Sequence, residues 1–195
     1  MRLFVAIDLN DDARGAIAAE QKRLAEALGH GSSLKWVRPE QLHLTLAFLG
    51  EVDEPRAAAV IDVMRADLPE IAPFPIVFAG LGVFPPSGAP RVLWLGVAAG
   101  AHDVVDVQRH VDQRLSQVGI ALDARSFHPH LTLARWRDRR PTDRRVVAAA
   151  DGRATVACAA VSAVTLYQSR LSSSGPIHTA ITRARLTGAT AVAGP

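Results

Sequence analysis

His43-Leu44-Thr45-Leu46-Ala47 and His130-Leu131-Thr132-Leu133-Ala134 are the same five residues, met once in each half of the chain. In a β-strand, alternate side chains point to opposite faces. His43 and Thr45 therefore share one face while Leu44 and Leu46 enter a core, and the second copy does the same with its own residues. A structural repeat accounts for the leucines. It gives no reason to keep both His and Thr on the face that packing does not need. Two such strands side by side would place two imidazoles and two hydroxyls in one cleft.

That set suits general acid–base chemistry at phosphorus. An unperturbed imidazole titrates near pH ~6.5, so at neutral pH one ring can act as base and the other as acid. The base takes a proton from the attacking hydroxyl or water, and the acid gives one to the oxygen that leaves on the opposite side. Thr45 and Thr132 can donate hydrogen bonds to the non-bridging oxygens. No metal, cofactor or covalent intermediate is required. The residues alone do not say which histidine has which role.

Outward from the motifs, the pattern predicts alternating strands and helices. Residues 3–9 read as a first strand, followed by a helix over 12–28 that Gly29 stops. A short extended piece over 34–37 precedes the first motif strand, 42–49. Asp53-Glu54-Pro55 opens a second helix with Val60, Ile61, Met64 and Leu68 at helical spacing. Residues 73–83 and 91–98 read as a hairpin, and 102–118 as a third helix with a Val104, Val107, Val111, Leu115, Val118 stripe. The second motif strand covers 128–135. A basic loop and a second hairpin, 155–170 with 177–186, complete the pattern, and 187–195 reads as a flexible tail. The expected fold is α+β: two pseudo-symmetric lobes around a central cleft, each an antiparallel sheet with helices on its outer face. The lobes are interleaved enough to count as one bilobal domain over 1–195.

Composition excludes several classes. With 49% hydrophobic and 21% charged residues, the 195-residue chain reads as folded rather than disordered. No apolar run reaches the ~18 residues that span a bilayer, and the start lacks the pattern of a signal peptide. The expectation is a cytoplasmic monomer with no membrane association and no obligate protein partner. Cys158, the single cysteine, lies in an apolar run and reads as a small buried hydrophobe. Arg135-Trp136-Arg137-Asp138-Arg139-Arg140, with Arg144 and Arg145, offers a basic rim to a polyanion. A nucleotide-dependent ligase finds no support, because there is no phosphate-binding glycine loop and the only lysines are Lys22 and Lys35.

The paired His-x-Thr-x motifs resemble those of the 2H phosphoesterase superfamily. The flanks resemble one branch of it, the bacterial and archaeal RNA 2′,3′-cyclic phosphodiesterases, also known as 2′-5′ RNA ligases (LigT-like or ThpR proteins). The stretches that carry this are Arg2-Leu3-Phe4-Val5-Ala6-Ile7, Trp36-Val37-Arg38-Pro39-Glu40-Gln41 with the motif through Gly50, Phe127-His128-Pro129 with the motif through Arg135, and Leu166-Tyr167-Gln168-Ser169-Arg170-Leu171. The resemblance implies hydrolysis of RNA 2′,3′-cyclic phosphate ends to 2′-phosphates, reversible as 2′-5′ ligation. It implies His43 as acid, His130 as base, and Thr45, Thr132 and Arg135 as phosphate-binding residues. Other readings are a non-catalytic RNA- or nucleotide-binding module, or a phosphodiesterase for a small cyclic nucleotide or ADP-ribose cyclic phosphate.

Arg135 poses a geometric difficulty. Five residues after His130, it faces away from the cleft unless the strand ends or bulges. Its counterpart after the first motif is Phe48, which reads as core packing in preference to a base-stacking surface. His128 has metal-ligand spacing to His130, but no further ligands stand out, and it reads as a loop residue near the cleft. His30, His102, His110 and His178 have no repeat partners and read as surface or structural residues.

Overall fold

The apolar run that opens the chain becomes the strand around which the first lobe is built. β1 (Arg2–Asp8) buries Leu3 through Ile7 because it is paired on both sides. Asn10 then caps α1 (Asp11–Leu28), its side-chain oxygen accepting from the Ala13 N–H. β2 (Leu34–Trp36) and a 3-10 turn (Pro39–Gln41) lead into β3 (His43–Glu51), the first motif strand. Asp53 caps α2 (Glu54–Arg65), with Pro55 in its first turn. β4 (Phe74–Phe84) and β5 (Val92–Ala99) form the expected hairpin, and α3 (Ala101–Gln117) buries the valine stripe through Leu115. β6 (His130–Trp136), α4 (Asp143–Ala150), β7 (Ala157–Val161), β8 (Ala163–Ser172) and β9 (Gly175–Arg185) follow. The structure is a computed structural model, and it describes residues 1–29, 33–121, 126–152, 155–173 and 175–189. His30, Ser174 and residues 190–195 lie outside these.

Two antiparallel sheets result. One has the order β3-β1-β8-β9 and the other β2-β6-β5-β4-β7. α2 and α3 pack on the first sheet, against β9 and β3, while α1 and α4 pack on the second, against β7 and β4. The chain crosses between lobes twice through helices: α1 leaves a strand of the first sheet to cover the second, and α3 does the reverse. The lobes are thereby interlocked, and the motif strands β3 and β6 meet between them.

The motif strands match residue by residue. Phe4, Val5, Ala6, Ile7 and Asp8 pair with Phe48, Ala47, Thr45, Leu44 and His43. Val92, Leu93, Trp94, Leu95 and Gly96 pair with Arg135, Ala134, Thr132, Leu131 and His130 in the same way. In both, the second leucine of the motif, Leu46 or Leu133, is left without an opposite residue. Each strand therefore carries a β-bulge at the same place.

Several expectations need correction. Residues 155–170 are two strands: β7 joins the second sheet and β8 the first, with the break at Ser162. The apolar run contains no Gly or Pro to signal that crossover. The basic loop contains α4. Cys158 is exposed because β7 is an edge strand whose alternate residues Ala157, Ala159 and Val161 take the core face. The tail is tied down at its start, where the Thr187 and Gly188 N–H groups donate to the Leu68 and Ile71 carbonyls. Among the described residues no helix is long and apolar enough to cross a membrane.

Candidate active site

Leu44, Leu46, Leu131 and Leu133 are buried, and His43, Thr45, His130 and Thr132 lie half-buried on the opposite faces of their strands. The alternation thus separates core from cleft as the repeat requires. Past each bulge the parity changes. Phe48 and Arg135 consequently turn to the face of the histidines, and both are exposed, Phe48 at 69%. This removes the difficulty with Arg135 and corrects the core reading of Phe48.

Each histidine is oriented from behind. Nδ1 of His43 lies 2.7 Å from the Gln41 carbonyl oxygen, and Nδ1 of His130 lies 2.7 Å from that of His128. A carbonyl only accepts, so each Nδ1 carries the hydrogen and each Nε2 presents a lone pair. Rings hold the imidazoles in place. His43 stacks on Phe4 at 5.0 Å, which stacks on Tyr167 at 5.1 Å. His130 meets Phe84 edge-on at 4.9 Å and lies 6.1 Å from Trp94. The Trp94 ring lies over Gly82, where an added Cβ would come within 2.0 Å of the indole. His128 packs against Trp94 at 5.1 Å, near the cleft as its position in the sequence suggests.

The electrostatics differ between the lobes. Burial lowers the proton affinity of His43 to about 4; the Gln41 carbonyl and the Asp8 carboxylate oppose the shift and His178 adds to it. Burial also lowers that of His130, opposed by the His128 carbonyl and reinforced by His128 and Arg135. Both rings are therefore neutral at neutral pH in the open cleft. Asp8 pairs across the strand with His43 and accepts from the Thr165 hydroxyl at 2.7 Å and the Tyr167 hydroxyl at 2.6 Å. Burial and that bond to Asp8 hold Tyr167 protonated. The place of Asp8 is taken in the second lobe by Gly96. A carboxylate stands behind one histidine and a guanidinium beside the other.

Two site residues carry no signal in the motifs themselves. Lys35 on β2 is the register partner of Arg135 and so shares its face. Among the described residues the first sheet has no strand outside β3, so there the second lobe alone gains this cation. His178 packs edge-on against Phe4 at 4.9 Å and His43 at 5.6 Å. Its signal is its place in the β8–β9 hairpin, which turns it toward β1. Among the described residues, the Thr45 and Thr132 hydroxyls, Lys35 and Arg135 have no partner, and no three His, Cys, Asp or Glu side chains gather as a metal site. Arg144, by contrast, donates to the Pro85 and Gly88 carbonyls and serves the β4–β5 loop. A depression of about 580 Å³ beside Ser162, Arg183, Arg185, Leu186 and Thr187 is not lined by either motif.

Residues 15–172 match the 2′-5′ RNA ligase superfamily. The chain belongs to this family. It is 36% identical over 158 residues to the RNA 2′,3′-cyclic phosphodiesterase of Aeropyrum pernix, covering 80% of this chain and 89% of that protein. The crystal structure of TT0787 of Thermus thermophilus superposes with a TM-score of 0.78 at 28% identity, over 96% of this chain and 99% of that one. E. coli LigT complexed with 3′-AMP superposes with a TM-score of 0.73 at 28% identity, over 95% and 98% of the two chains. This member of the 2′-5′ RNA ligase superfamily thus carries its two motifs on matched bulged strands of a shared LigT-like fold.

Proposed function

We propose that this protein hydrolyses RNA 2′,3′-cyclic phosphate ends to 2′-phosphates by acid–base catalysis without a metal ion. The observation that carries the reading is the matched pair of imidazoles, each with Nδ1–H given to a carbonyl and Nε2 free. Water attacks phosphorus, and His130 Nε2 takes its proton. The P–O3′ bond breaks, and the 3′ oxygen receives a proton from His43. Thr45 and Thr132 donate to the non-bridging oxygens. Arg135, with Lys35 beside it, holds the anion; guanidinium geometry suits two phosphate oxygens at once.

Burial is the largest influence on both rings, and the lesser charges beside them fit the acid and base assignment that the family resemblance implies. Asp8 favours the imidazolium of His43, which suits the acid, and Arg135 disfavours that of His130, which suits the base. His43 is neutral in the open cleft, and a bound phosphate anion supplies the further charge that stabilises its protonated form. The exposed Phe48 ring offers the nucleobase a flat apolar surface. With a 5′ hydroxyl in place of water, the same steps form the O5′–P bond, break P–O3′ and leave the two ends joined 2′-5′. We read the protein as a cytoplasmic monomer acting on RNA ends without an obligate partner.

The test is incubation of the purified protein, in EDTA, with a short RNA ending in a 2′,3′-cyclic phosphate. The expected product is a 2′-phosphate. A 3′-phosphate product, or activity abolished by EDTA and restored by a divalent metal, would overturn the mechanism. Binding without turnover would favour an RNA-binding module.

A further inference from the structure

The wall around His43 contains a histidine that the repeat does not supply. His178 stands edge-on to Phe4 and His43 and lies 6.5 Å from Tyr167. Its Nδ1 is sealed from solvent and has no hydrogen-bond partner among the described residues. The ring as a whole is only half-buried, and Nε2 is neither sealed nor engaged by another described residue.

This arrangement decides where the proton sits. A hydrogen on Nδ1 would be a buried donor with nothing to accept it, and orphaned buried N–H groups are rarer in folded proteins than under-satisfied acceptors. With the hydrogen on Nε2, the sealed atom holds only a lone pair, and the donor lies on the open edge of the ring. Protonating both nitrogens would bring back the unsatisfied donor, and burial also lowers the proton affinity of His178.

We propose that His178 is a fixed, neutral Nε2–H donor that binds an oxygen of the phosphate ester held at His43. His43 and His130 are the opposite tautomer, because each gives its Nδ1–H to a carbonyl. The cleft then has two imidazoles that present lone pairs for proton transfer and one that presents a hydrogen for binding. Near pH 7 a neutral donor beside His43 suits the acid: it grips the ester oxygens, and its charge opposes the His43 imidazolium only at lower pH, where His178 itself takes a proton. The identity of the ligand rests on the phosphodiesterase reading, whereas the tautomer does not.

Long-range proton–nitrogen NMR on the whole protein, with 15N-labelled histidine near pH 7, reads the tautomers directly. His178 is expected to show a protonated Nε2 and a bare Nδ1, with His43 and His130 reversed; His178→Phe identifies its signals. Adding adenosine 2′-monophosphate should shift the His178 Nε2–H resonance. In kinetics near pH 7, His178→Phe keeps the ring contacts and should raise KM about tenfold with kcat unchanged; both limbs of the pH profile should remain, the His43 limb moving slightly upward because His178 adds to the lowering of His43. His178→Gln, which keeps an amide donor, should recover much of that loss. An Nδ1–H tautomer at His178, an unchanged KM in His178→Phe, or loss of a limb of the pH profile would each overturn the proposal. Absence of turnover by the unaltered protein would defeat the phosphodiesterase reading, while the tautomer and the ligand-induced shift still test His178 by themselves.

Discussion

Phe48 and Arg135 occupy the same register position on the two motif strands, opposite Phe4 and Val92, and each reaches the cleft because a bulge at Leu46 or Leu133 turns it there. Position is duplicated and chemistry is not: one lobe offers an apolar ring, the other a cation. Arg135→Lys should raise KM on RNA cyclic phosphates about tenfold, since a lysine keeps the charge and loses the paired donors. Phe48→Ala should raise KM for a nucleoside cyclic phosphate while leaving an abasic ribose cyclic phosphate unaffected. Steady-state kinetics on the two substrates separates the effects, and equal losses on both would contradict a stacking role.

His43→Ala and His130→Ala should each lower kcat by about 10²–10⁴ with smaller changes in KM, the range set by general acid–base catalysis. The double variant should be little worse than either single one, because acid and base act in one displacement. Multiplicative losses in single-turnover measurements would mean that the two rings work independently.

Activity should peak on the acidic side of the ordinary imidazole value. His43 is lowered to about 4 and His130 is lowered as well. Both limbs of the kcat/KM profile, which reports the free protein, should therefore fall below about pH 6.5. In kcat the limbs should move upward, because the bound phosphate anion stabilises the imidazolium. A kcat/KM optimum above pH 8 would contradict the assignment.

Stability should follow the same groups. A histidine depressed in the folded state is matched by the unfolded chain above pH ~6.5; between there and about 4 the unfolded chain binds the proton first. Stability is therefore full above about pH 6.5 and falls as pH drops toward 4, by up to about 1.4 kcal/mol per pH unit for His43. Urea melts across pH 4–7 measure the slope, which His43→Phe should reduce.

Gln21 is buried on α1, and its side-chain amide donates to the Val37 and Leu133 carbonyls, each at 2.9 Å. Leu133 is the bulged residue that aims Arg135. Gln21→Leu should cost about 1–3 kcal/mol of stability by leaving the Val37 carbonyl unpaired. It should also raise KM more than Gln21→Asn does, as kinetics on the folded fraction would report. Gly82→Ala should disturb the second lobe more sharply, because its Cβ would strike the Trp94 indole that packs beside His130.

By itself, the sequence determined what depends on local periodicity. The duplicated His-x-Thr-x strings placed two imidazoles and two hydroxyls on the faces opposite their leucines, and capping residues, glycine stops and the valine stripe marked the main helices. Alternation and helical repeat are properties of neighbouring residues, so one chain suffices to read them. Tertiary structure decided the rest. The split of 155–170 between two sheets, the exposure of Cys158 on an edge strand and the approach of His178 to His43 all depend on which strands become neighbours. The bulges at Leu46 and Leu133 are defined only by the partner strand, where two residues face one. For that reason the cleft-facing side chains past each motif, Phe48 and Arg135, could be named in the sequence but aimed only by the fold.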